Sequence, residues 1–154
     1  MILAINTAGP EIGIALHWPQ KITIEKLGSR SPFKTRKGKI GIEKIYIGKS
    51  EQKSDDLLTK IDKILSQNQV KLDNLKAVIV NQGPGSFTGL RVGISTANAL
   101  AYALKIPVIG ITMPAGRQEN QKNPIKLAKQ GYKKFKSIKS KADSKVLPFY
   151  GYKI

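Results

Sequence analysis

The sequence predicts an α/β fold in which a mixed sheet carries helices, and three observations lead there. Residues 2–6 and 12–18 are short apolar stretches separated by Gly9 and Pro10, the pattern of an antiparallel hairpin. Residues 77–80 form an unbroken apolar run that stops at Gly83-Pro84-Gly85, as a buried parallel strand does. A helical stretch over 86–104 and a second apolar run at 106–111 then complete a β-α-β unit.

Taken in order, residues 2–6 read as a buried strand, and Ile12, Ile14, Leu16 and Trp18 alternate onto one face of its hairpin partner. Alternation resumes weakly at 22–27, and residues 28–39 form a Gly/Ser/Pro/Lys loop. Ile40, Ile42, Ile45 and Ile47 predict another strand, with one slip in the alternation that reads as a bulge. Ser54 is placed to cap a helix, and Asp55 and Asp56 suit the positive end of its dipole. Leu57, Leu58, Ile61, Ile64 and Leu65 form the apolar face of that helix. Ser86 is placed to cap the helix over 86–104. After Pro114 the pattern weakens. Residues 125–141 read either as a basic amphipathic helix interrupted at Gly131 or as an arm that orders on a partner, and the aromatic segment 146–152 is expected to dock on the domain. The expected division is a domain over 1–114 and a basic C-terminal extension over 115–154, partly helical or disordered.

The chain has 154 residues and a formal net charge of +17. Residues 19–53 hold ten Lys/Arg against three Glu, a net of +7, and residues 112–154 hold eleven against two acidic residues, a net of +9. Such a field attracts polyanions, RNA first among them, with a steep salt dependence. No cysteine is present, which excludes disulfides and cysteine catalysis and fits a reducing cytoplasm. One histidine, His17, is too few for a histidine-built metal site, so no metal is expected. There is no apolar run of 18 residues, so no membrane span is expected, and the opening residues do not read as a signal peptide.

Within 86–104, Gly89, Gly93, Ala97 and Ala101 recur every fourth residue and line one nearly flat helix face. A flat stripe lets another helix backbone come unusually close, so the expected neighbour is a helix. One reading places that neighbour in the same domain and the other places it in a second protein.

The segment Gly83-Pro84-Gly85-Ser86-Phe87-Thr88-Gly89-Leu90-Arg91-Val92-Gly93 resembles the signature of the TsaB (YeaZ) family. The opening Ile2-Leu3-Ala4-Ile5-Asn6-Thr7-Ala8 is similar to that family's first strand, and Ile106-Pro107-Val108-Ile109-Gly110-Ile111 to the strand after the signature helix. The resemblance covers residues 1–18 and about 43–112. It implies a Gcp-like domain, the first half of an actin-like (ASKHA, ribonuclease H-like) fold over 1–114, with most of the second half missing. It also implies a cytoplasmic, non-catalytic scaffold in making N6-threonylcarbamoyladenosine at position 37 of tRNA, paired with a catalytic TsaD-like subunit, with a TsaE-like ATPase as a further partner. Catalytic relatives in the superfamily carry an aspartate and a hydroxyl residue near the first turn, where this chain has Asn6 and Ala8. Only Thr7 keeps a hydroxyl, and Asn6 cannot supply the anionic oxygen that Mg²⁺ favours. No cofactor is expected.

Other enzymatic patterns fail on spacing. Gly83, Gly85 and Gly89 leave one residue too many for a dinucleotide turn, and Ser86 and Ser95 lie in no nucleophile elbow. No catalytic residue is assigned. Two functions remain. In the first, helices 54–66 and 86–104 pair with a TsaD-like protein or a second copy through Leu57, Ile61, Leu65, Gly89, Leu90, Gly93, Ile94, Ala97 and Ala101. Replacing Gly93 by Leu is then expected to break pairing and spare the fold. In the second, the chain is a homodimeric basic RNA-binding module, with Lys34, Arg36, Lys37, Lys133, Lys134 and Lys136 as RNA contacts. Gly83, Gly85 and Ser86 form a turn at a helix N-terminus that is a candidate phosphate contact in either case.

Overall fold

The computed structural model describes residues 1–18, 43–49, 53–113, 124–137 and 145–150. Its elements are β1 (Ile2–Asn6), β2 (Glu11–His17), β3 (Glu43–Lys49), α1 (Lys53–Gln67), a 3₁₀ turn (Leu72–Asn74), β4 (Ala77–Gly83), α2 (Phe87–Leu104), β5 (Val108–Thr112) and α3 (Pro124–Ser137). The sheet order is β3-β2-β1-β4-β5. β1 runs antiparallel to β2, and β2 to β3, whereas β4 lies parallel to both β1 and β5. This is the mixed sheet that the hairpin and the β-α-β pattern called for.

Period-two alternation sorts the strand residues into two cores. Leu3, Ile5, Ile12, Ile14, Leu16, Val78 and Val80 face α1 and α2, and pack with Leu57, Ile61, Ile64, Leu90, Ile94 and Ala97. Ile2, Ala4, Ala15, Ala77, Ile79 and Ile109 face the other way and are covered by Leu127 and Ala128 of α3. Helices on both faces explain why β1 and β4 read as continuous apolar runs, since neither face of those strands meets water.

Several details differ from the expectation. The pairing of β2 with β3 is regular from Glu11↔Lys49 to His17↔Glu43, so β3 carries no bulge over its described length. The irregularity lies between Asn81 and Gly83, where β4 meets β5. Ser54 sits inside the first turn of α1, which begins at Lys53, and not ahead of it. α3 runs unbroken through Gly131, and a Cβ there would strike the Ile79 side chain. The glycine therefore lets the helix lie directly on the sheet. Ile40 and Ile42, the weak strand at 22–27 and the loop at 28–39 lie outside the described residues.

The described part of 115–154 is bound to the sheet. α3 covers the face opposite α1 and α2, and Val146 is buried in the α1/α2-side core. Asn98 of α2 holds the backbone of Val146, and Phe149 N–H donates to the Gln82 carbonyl at 2.6 Å.

Candidate functional site

The signature segment forms the end of β4, the turn and the start of α2. Ser86 caps α2, its Oγ accepting from Gly89 N–H at 3.3 Å. Gly83 has φ +122°, a conformation open to glycine at little cost, and its N–H donates to Asn81 Oδ1 at 2.9 Å. Asn81 is fully buried and its Nδ2 donates to Asn6 Oδ1 at 3.1 Å; the same oxygen accepts from Ala8 N–H at 3.3 Å. Ser86 N–H donates to the Ala8 carbonyl at 2.8 Å, and Met113 N–H donates to the Gly83 carbonyl at 3.0 Å. The two turns, after β1 and after β4, are thus stitched together.

This stitching uses part of the turn's hydrogen-bonding capacity. The amides of Gly83 and Ser86 are spent on Asn81 and Ala8. An ideal Cβ on Gly85 would stand 2.5 Å from the Ala8 Cβ, so the turn is pressed against its neighbour. The Thr7 hydroxyl donates to the Gly89 carbonyl at 2.6 Å. Asn6, buried and neutral, acts as a hydrogen-bond hub. Asn6 and Thr7 do not fit a magnesium-holding pair, and at the turn the Gly83 and Ser86 amides are bonded within the fold, while Gly85 and Ser86 stand exposed at the start of α2. Among the described residues no cluster of three His, Asp or Glu is placed to hold a metal, and no helix is long and apolar enough to cross a membrane.

All nine residues expected at a partner interface lie inside the fold. Leu57, Ile61, Leu65, Gly89, Leu90, Gly93, Ile94, Ala97 and Ala101 are buried. The small-residue stripe faces inward because its close neighbour is the turn after β1: a Cβ on Gly93 would strike the Thr7 hydroxyl. Neither sequence reading named this neighbour, since both looked for a second helix. The reverse side of α2 is what solvent sees. Ser95, Ala99 and Ala103 are exposed there and Tyr102 is 89% exposed, with Leu58 of α1 at 55%. From Val92 to Leu104 α2 has no charged side chain.

Sequence reasoning also missed an aromatic cluster beside the turn. Phe87, 53% exposed, stacks on Tyr150 at 5.1 Å between centroids, and the Arg91 guanidinium lies 3.8 Å from the Phe87 ring centre. Arg91 Nε donates to the Tyr150 hydroxyl at 3.3 Å. The tail's aromatic content signalled docking, but its landing place depends on the folded turn. Of the expected RNA contacts, Lys133, Lys134 and Lys136 are exposed on α3, and Lys34, Arg36 and Lys37 lie outside the described residues.

The family model described as TsaD, tRNA N6-adenosine threonylcarbamoyltransferase, matches residues 48–141. The chain is 41% identical over 56 residues to a tRNA threonylcarbamoyladenosine biosynthesis protein TsaB of Buchnera aphidicola, covering 36% of this chain and 27% of the relative. It is 36% identical over 112 residues to a tRNA N6-adenosine threonylcarbamoyltransferase of Nitrosospira multiformis, covering 72% of this chain and 31% of the relative. YeaZ from Pseudomonas aeruginosa shares the fold, with a TM-score of 0.54 at 23% identity over 73% of this chain and 44% of that one. The chain therefore spans less than half the length of these relatives.

Proposed function

The chain belongs to the TsaD family, within it to the TsaB (YeaZ) proteins, and on that premise we propose that it is a non-catalytic partner subunit in the threonylcarbamoylation of adenosine 37 of tRNA. Residues 1–114 act as the actin-like half-domain and 115–154 as its basic extension. The catalytic subunit is a TsaD-like protein, a TsaE-like ATPase is a further component, and the complex works in the cytoplasm. The observation that carries this reading is the outward face of α2. On a chain of net charge +17, that face offers Ser95, Ala99, Tyr102 and Ala103 with no charge among them. Depletion of charge around an exposed tyrosine is the composition of an interface core, and small residues permit close helix packing. The non-catalytic role is supported by the site: Asn6, Thr7 and the glycine turn hold one another and leave no nucleophile–base pair.

The test is co-expression with the TsaD-like protein of the same genome, read by size exclusion with light scattering. A one-to-one complex is expected, and Ala99→Glu with Tyr102→Glu should dissolve it without unfolding the chain. A homodimer that ignores the TsaD-like protein would overturn the proposal. It would favour the second reading, a self-paired RNA-binding module, for which the observation is the charge excess itself.

A further inference from the structure

We propose that the outward face of α3 is a docking surface for the phosphate backbone of RNA, on the side of the sheet opposite α1 and α2. Lys126, Lys129, Lys133 and Lys136 are spaced three, four and three residues apart. On an α-helix that spacing makes a single stripe about 15 Å long. Pro124, Leu127, Ala128 and Gly131, the buried residues of α3, lie on the other side of the helix. The sheet therefore fixes which way the stripe points. Lys129, Lys133 and Lys136 are exposed, whereas Lys126 is half-buried. Lys134 stands off the stripe and donates from Nζ to the Gly110 carbonyl at 3.2 Å, tying the helix to β5. The Lys136 ammonium lies 5.1 Å from the centre of the Tyr132 ring.

Among the described residues the charge around the stripe is mostly basic. α3, β4, β5, α2 and segment 145–150 contain no Asp or Glu. Two of the strands that α3 touches begin with a glutamate: Glu11 of β2 lies two residues before Gly13, which meets Pro124 at the far end of α3 from Lys133 and Lys136, and Glu43 of β3 is in register with His17, whose ring lies 5.1 Å from that of Tyr132. Lys133 and Lys136 stand exposed on that helix side, and a row of lysines reads phosphate charge without reading sequence. An anionic membrane is a poor occupant, because α3 has already spent its apolar face on the sheet and has none to insert. The choice of RNA among polyanions rests on the function proposed above, whereas the surface stands on the geometry alone. Because α2 and α3 lie on opposite faces of the sheet, a protein partner and an RNA can be held together.

The test is fluorescence anisotropy of a short labelled RNA stem-loop with the full chain, alone and with its TsaD-like partner, across a range of salt. Lys129→Glu, Lys133→Glu and Lys136→Glu together should weaken binding at least tenfold and flatten the log-affinity against log-salt slope by about two to three. The matched control Lys63→Glu, Lys71→Glu and Lys76→Glu changes net charge equally on exposed positions outside α3 and should leave affinity within about twofold. Equal loss in both triples would show that net charge, and not this surface, binds RNA, and would overturn the proposal. So would wild-type chain that binds no RNA in either state, or poly-glutamate bound as tightly as RNA and lost with the same α3 triple, which would assign the surface to an acidic protein. Should the reversal unfold the chain, the Lys→Gln triple is read instead, with about half the change in slope. The α3 triple should still co-purify with the TsaD-like partner, so failure here and failure of the pairing proposal are separately visible.

Discussion

Asn98 and Val146 hold each other by two hydrogen bonds across 48 residues of chain: Asn98 Nδ2 donates to the Val146 carbonyl and Val146 N–H donates to Asn98 Oδ1, each at 2.9 Å. A side-chain amide here does what a neighbouring strand would do, satisfying one residue's backbone donor and acceptor together. The pair sets Val146 into the core and brings Tyr150 onto Phe87. Asn98→Ala should therefore cost about 1–3 kcal/mol in urea denaturation. It should also speed trypsin cleavage after Lys145, an exposed lysine next to the pair. Unchanged proteolysis would mean that the Phe149–Gln82 hydrogen bond and the contacts of Tyr150 hold the tail without Asn98.

Gly93 is a position for the fold and not for pairing. Thr7 occupies the space a side chain would need, and its hydroxyl is bonded to the Gly89 carbonyl one turn earlier. Gly93→Ala should destabilise by about 1–3 kcal/mol through overpacking, and Gly93→Leu should prevent folding. Thr7→Val, which removes the hydroxyl at similar volume, should cost about 1 kcal/mol. Thermal melts of the three variants rank them. A stable Gly93→Leu chain would show that α2 can shift away from Thr7.

Asn81 joins the two turns through Asn6 and the Gly83 amide. Asn81→Leu leaves that buried amide without its acceptor, and the expected loss is about 1–3 kcal/mol. Amide exchange at Gly83 should accelerate in the same variant. Unchanged exchange would show that another acceptor replaces Asn81.

Gly131 sets the distance between α3 and the sheet. Gly131→Ala must displace Ile79 or lift the helix, at a cost of about 1–3 kcal/mol. Since the lysine stripe depends on α3 being seated, the same variant should weaken RNA binding as it loses helicity, measured by circular dichroism alongside anisotropy. Full stability would mean that the Ile79 side chain can turn aside at no cost.

Much of the architecture was legible because its signals are local. Ile12, Ile14 and Leu16 alternate because one strand face is buried, and Ser86 caps α2 because its oxygen reaches an amide three residues on. The glycine/alanine stripe of α2 was legible as a close contact but not as a contact with Thr7, 82 residues from Gly89, its hydrogen-bond partner. Periodicity reports which face of a helix is flat and says nothing of what approaches it. The interruption expected at Gly131 failed for the same reason. Helix propensity disfavours glycine, and the side chain of Ile79, arriving from β4, outweighs it.

Local spacing and composition account for the main strands and helices, the family signature, the lack of a cysteine or histidine-rich site and the lysine excess. Each of these follows from composition or from residues within one or two turns of each other. Folding in three dimensions is what puts the small-residue stripe in the core, ties the glycine turn to Asn81 and Ala8, and sets the charge-free side of α2 and the lysine side of α3 on opposite faces of the sheet. Those facts depend on which side of the sheet each helix covers. That choice is made by burial of apolar surface between residues far apart in the chain, through contacts that no local spacing encodes.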